Sequence, residues 1–86
     1  MAAANVLTAG TTSTSSSDVS PTSDTVYGLK TTASGAVIYV EQKDDTGAYH
    51  PIGRLENAEG RNSILLAAGT YRFRRPAGPS CGVYSG

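Results

Sequence analysis

Two sets of residues have side chains that could do chemistry: His50 as a base, and Asp44 with Asp45 as a carboxylate pair or half a calcium site. Catalysis needs the histidine within hydrogen-bond reach of a nucleophile, with an acid to orient it. No G-x-S-x-G or comparable signature marks a nucleophile, and His50 is the single histidine. The local sequence gives a plainer role. Asp44-Asp-Thr-Gly47 is a turn, with aspartates to bond their own backbone and a glycine to reverse the chain. A calcium loop needs further oxygen ligands at set positions, and the residues after Gly47 supply none. His50 is then an ordinary residue of the strand that leaves the turn. Cys81 is the only cysteine, so no internal disulfide and no Cys/His zinc set can form. Cys81 is expected to be a buried, inert thiol. The chain is therefore expected not to be an enzyme and to carry no metal or cofactor.

Two other groupings bear on binding. Arg72, Arg74 and Arg75, with Lys43, Arg54 and Arg61 elsewhere, form a candidate basic patch. Strand alternation puts Arg72 and Arg74 on one outer face, roughly 7 Å apart. Guanidinium forks suit carboxylates, so this face is expected to dock an acidic partner surface. Nucleic acid is not expected, because no exposed aromatics interleave with these arginines. Tyr27, Tyr39, Tyr49 and Tyr84 offer an alternative, a stacking platform for sugars, but tyrosines in a core this small are expected mainly to pack.

Charge and composition narrow the class. Seven basic and seven acidic side chains cancel, unlike the strongly basic balance of nucleic-acid binders. No apolar stretch approaches the ~20 residues of a membrane helix, and the N-terminus lacks the basic segment of a signal peptide. One free cysteine fits synthesis in a reducing cytoplasm. The 86 residues allow one domain at most,. Residues 1–24 hold eleven Ser or Thr and two acidic side chains, Asp18 and Asp24. So polar a tract is expected to be an extended arm outside the fold, with Val6, Leu7 and Val19 as apolar anchors on a partner. Residues 25–86 must then form the domain. Near ~60 residues a domain is marginal and usually leans on a staple or a partner.

Six β-prone segments divide residues 25–86. They are 25–32, 36–43, 48–55, 62–67, 70–75 and 81–84, separated by Gly, Pro and Asp turns. The clearest is 36–43, whose Ile38/Val40 face is the better core candidate. Residues 36–43 and 48–55 make a hairpin about the Asp44 turn. Pro51 lacks an N–H, so its strand should lie at an edge or carry a bulge. In 70–75, Tyr71 and Phe73 point in while Arg72 and Arg74 point out. No helical period runs through any window. The expectation is an all-β fold, a small antiparallel sandwich or open barrel of about six strands.

Residues 40–49 (VEQKDDTGAY), 69–76 (GTYRFRRP) and 81–84 (CGVY) look like small virion proteins of tailed bacteriophages. The resemblance covers about residues 36–86. It implies a short N-terminal arm on a compact β-sandwich, and a place in the virion after synthesis in the host cytoplasm. It also implies capsid decoration or cementing, or else an adaptor or fibre role at head or tail. The implied partners are the major capsid protein, another virion protein, or further copies of the chain, with no membrane. A body and an arm bound together would gain affinity through raised effective concentration.

Overall fold

In a computed structural model, residues 3–86 are described, and every regular element among them is a β-strand. Residues 1 and 2 of the expected arm lie outside the described residues. Eight strands run in the order β1 (Ala4–Gly10), β2 (Thr14–Ser15), β3 (Thr25–Lys30), β4 (Val37–Lys43), β5 (Tyr49–Glu56), β6 (Ser63–Leu66), β7 (Tyr71–Arg75) and β8 (Cys81–Ser85). They form two four-stranded antiparallel sheets, ordered β1-β8-β3-β6 and β2-β7-β4-β5. The arrangement is consistent with a β-sandwich. Only the β4–β5 connection stays within one sheet; every other link crosses to the opposite sheet.

Alternation explains the core. Ile38 and Val40 of β4, Phe73 of β7, Leu55 of β5 and Val83 of β8 are wholly buried. Tyr27 from the first sheet meets Phe73 from the second, ring centres 5.2 Å apart and tilted by 44°. Such tilted pairs add stability beyond the area they bury. Tyr71 is buried too, and its hydroxyl donates to the Ala67 carbonyl at 2.9 Å. The β4–β5 hairpin turns at Asp44, as expected. One carboxylate oxygen accepts from the Thr46 and Ala48 N–H groups at 2.8 and 2.9 Å. Pro51 meets both of its expectations. β5 is an edge strand, and the register steps from Val40↔Gly53 to Glu41↔Pro51, so Ile52 bulges out unpaired.

The arm is corrected. Residues 4–10 pair with β8 as β1, and residues 14–15 pair with β7 as β2. The division into 1–24 and 25–86 dissolves, because both sheets contain strands from each side of it. Backbone satisfaction is the reason. Without residues 14–19, β7 would present an open edge over the core. Instead Ser16 N donates to Phe73 O, Val19 and Tyr71 exchange two bonds, all at 2.8 Å, and the Ser16 hydroxyl accepts from Phe73 N at 3.0 Å. Serine and threonine serve well here, since their hydroxyls satisfy neighbouring backbone. The exposed area agrees: 4916 Å² against about 4,800 Å² for a compact chain of this mass. A 24-residue projection would exceed that clearly.

Arg75 locks this addition in place. It follows Tyr71 and Phe73 in the inward phase of β7 and is 4% exposed. Its guanidinium donates to the carbonyls of Thr8, Thr12 and Cys81, each at 2.8 Å. One side chain thus ties β7 to β1, to the link after β1, and to β8.

Candidate interaction faces

The outer face of the β2-β7-β4-β5 sheet brings Arg72 and Arg74 together, as alternation predicts. It also places Glu41 opposite Arg72. Glu41 accepts from Arg72 Nε at 2.7 Å and from Arg74 Nε at 3.2 Å, and it is 7% exposed. The Arg72 guanidinium lies 3.6 Å from the Tyr49 ring centre, and that of Arg74 lies 4.8 Å from the Tyr39 ring centre. The Tyr49 hydroxyl donates to Asp18, which also pairs with Lys43 at 3.1 Å. Arg54 pairs with Glu56 on the same face. The expected basic face is therefore a network of intramolecular ion pairs and not a row of unpaired cations. Each arginine gives its Nε to the same intramolecular carboxylate and lays its guanidinium over a tyrosine ring.

Burial opposes ionisation of Glu41, but hydrogen bonds from Arg72 and Arg74 outweigh it and hold the carboxyl below its usual range. Asp18 is lowered by the Tyr49 hydroxyl first and by Lys43 second. A carboxyl depressed in the folded state contributes stability above its unfolded pKa of about 4.3, and that contribution vanishes as pH falls through the folded value. Glu41→Gln is therefore expected to lower stability by about 1 kcal/mol at pH 7. Urea titrations at pH 7 and pH 3 check this; the gap between variant and parent should shrink at the lower pH.

The remaining sequence-derived sites fall elsewhere. Leu7 is 9% exposed and belongs to the core, while Val6 and Val19 are partly buried against it. They pack the N-terminal segment onto the chain's own core, which corrects their assignment to a free arm. His50 Nε2 sits 2.7 Å from Asp44 and is exposed. The same carboxylate binds the turn backbone and the Thr46 hydroxyl, and these bonds, His50 foremost, hold it well below the ordinary range. His50 thus braces the turn. Cys81 is buried, and burial pushes its thiol up, with Arg75 opposing in part. Among the described residues no group of three or more potential metal ligands gathers. The four tyrosines do not form a platform: Tyr27 is in the core, Tyr39 and Tyr49 carry arginines, and Tyr84 lies on the other sheet. A shallow depression of about 330 Å³ adjoins Tyr39. Its polar lining is engaged, Arg54 with Glu56 and the Asn57 amide with the Ala33 carbonyl at 2.6 Å.

Sequence reasoning missed the opposite face. Strands β1, β8, β3 and β6 contain one charged residue, Lys30, whereas the strands of the other sheet contain seven. Lys30 itself donates to the Asn5 side chain at 2.6 Å. On this outer face Val26 is 45% exposed, Leu65 60% and Tyr84 39%. Val26 and Leu65 are direct cross-strand partners, and the Tyr84 ring covers Gly28. The signal lies in the sequence as runs without charge, but the face is complete only when β1 joins β8, and the broken alternation of β1 hides that pairing. The chain matches no family model, no curated protein and no solved structure.

Proposed function

We propose that this chain is a non-enzymatic structural subunit that seats the uncharged face of β1-β8-β3-β6 on an uncharged, apolar protein surface of a larger assembly. The sorting of charge between the two outer faces carries this reading. Burying a charged group costs several kcal/mol unless it is paired. A face holding Val26, Leu65, Tyr84 and the single cation Lys30 loses water at small cost. The opposite face, with its ion pairs, remains in solvent and keeps the particle surface soluble. The resemblance of residues 36–86 to small virion proteins of tailed phages supports a capsid as the assembly, one that the chain decorates or cements with the major capsid protein supplying the seat. On this reading the two-sheet stack is a β-sandwich, and the body itself, not an arm, makes the contact. Adaptor and fibre positions use the same face.

Mass spectrometry of purified particles, followed by re-addition of protein to particles lacking it, is the test. The chain should appear in near-stoichiometric copies. Val26→Asp with Leu65→Asp should cut occupancy at least ~10-fold, as expected for charge placed in an apolar contact, while Arg72→Glu should not. Absence from particles sinks the virion reading. Unchanged occupancy of the double variant sinks the face.

A further inference from the structure

The two sheets end in four edge strands, β1 and β6 on the first and β2 and β5 on the second. An open edge invites pairing with another chain, and proteins guard against it with bulges, prolines, charges or brevity. Three edges here are guarded. β1 carries two register breaks, and its Thr8 carbonyl is taken by Arg75. β2 is two residues long. β5 holds Pro51, the Ile52 bulge and the outward Arg54. β6 has none of these guards. Its four residues, Ser63-Ile-Leu-Leu66, pair with β3 without a register break.

The free edge has a defined set of groups. Leu29 N donates to Asn62 O at 2.8 Å. Antiparallel ladders alternate residues bonded toward a neighbour with residues bonded away from it. Ile64 and Leu66 therefore bond toward β3, and the N–H and C=O groups of Ser63 and Leu65 point outward. Leu65 is also the most exposed large hydrophobic side chain among the described residues. Ile52 of β5, 46% exposed, stands on the same flank, where Gly53 approaches Ile64.

We infer that β6 is a docking edge for β6 of a second copy, the two strands running antiparallel about a two-fold axis to make one eight-stranded sheet. Charge selects this occupant. Thr25 pairs with Leu66, so Asp24 stands at one end of the edge and Arg61 at the other. Both are exposed, and neither joins an ion pair among the described residues. An isologous contact sets each patch against its own copy turned end for end. Arg61 of one copy then comes level with Asp24 of the other, twice. The lateral gap is two strand spacings, ~10 Å, within the combined reach of the two side chains. Four outward backbone groups on each copy find partners, and the Val26/Leu65 rows of both copies join on one face. The dimer would thereby double the uncharged surface described above, though its formation does not depend on that surface's partner. The contact is small, so a weak dimer is expected, with Kd on the order of 10–100 μM.

Sedimentation of the full chain from 1 μM to 1 mM, at low salt, tests the edge. The parent should pass from monomer to dimer. Arg61→Asp alone, or Asp24→Arg alone, sets like charges against each other at both contacts and should weaken association at least ~10-fold. Mixing the two single variants restores both attractive contacts, so a heterodimer should form near parental affinity. Both positions are exposed, and circular dichroism checks that each variant keeps its fold. A parent that stays monomeric to 1 mM overturns the inference. So does a dimer indifferent to the two charge reversals, or one that mixing fails to rescue. Failure of particle binding with these charge effects intact would leave the edge standing and remove only the proposed seat.

Discussion

Arg75→Met is expected to cost about 3 kcal/mol of stability, a drop in urea midpoint with little change in slope. Arg75 is 4% exposed and has no carboxylate partner among the described residues. Its energetic role rests on three carbonyls, Thr8, Thr12 and Cys81, each 2.8 Å from a guanidinium nitrogen. Two effects compete when it is replaced. Losing an uncompensated buried charge is favourable. Orphaning three carbonyls is unfavourable by ~1–3 kcal/mol each where water cannot reach them. Cys81 O is buried, while those of Thr8 and Thr12 are partly accessible, so one full penalty and two partial ones outweigh the relief. Arg75→Lys should fall between, since one ammonium cannot span three acceptors that a planar fork reaches. Hydrogen exchange gives an independent readout: amides of residues 4–12 should lose protection ahead of β4 and β7. A Met variant as stable as the parent would show that these carbonyls find other partners, and the clamp would be discarded.

Arg75 also shows where sequence reading stopped. Alternation from Tyr71 and Phe73 sends it inward, yet its charge invites grouping with Arg72 and Arg74 on the outer face. The six strands after residue 24 were legible because each is a short β-prone run with a Gly, Pro or Asp boundary, and β7 adds clean alternation. Pro51 announced its edge and its bulge through a missing N–H. β1 was not legible. Its only deeply buried side chain is Leu7, and two bulges break the alternation that would have marked a strand. β2 exists because β7 lacks a neighbour, which is a property of the partner and not of Thr14 or Ser15. Glu41 between the arginines was hidden for a related reason. It depends on β4 lying beside β7, and with one hairpin in the fold nearly all pairing is non-local. The free arm and the unpaired basic face were both read from local sequence where non-local pairing decides.

Gly82→Ala is expected to strip β1 from β8, whereas Gly28→Ala, a similar change on the next strand, should be tolerated. A Cβ at Gly82 would lie 2.3 Å from Leu7 O and 2.7 Å from Ala9 N. These are backbone atoms of the β1 bulge, where Thr8 and Ala9 together oppose the one residue between Val83 and Cys81. They cannot rotate away. Relief requires β1 to lift, which exposes Leu7 and pulls Thr8 O from Arg75. Losing most of one Leu burial and one partly buried hydrogen bond gives about 2–4 kcal/mol,, a Tm loss of roughly 10–25 °C for a chain this size. At Gly28 the nearest atoms to an added Cβ belong to the Tyr84 ring, 2.5–2.7 Å away. That ring ends a rotatable side chain already 39% exposed, so it can swing outward, at a cost of about 1 kcal/mol or less. Paired thermal melts of the two variants decide the matter. Equal losses would mean that β1 does not hold its bulged register on β8. A large loss at Gly82 alone would establish residues 4–10 as part of the fold, and a Leu7→Ala change added to it should then cost almost nothing more, because the strand that buries Leu7 has already left.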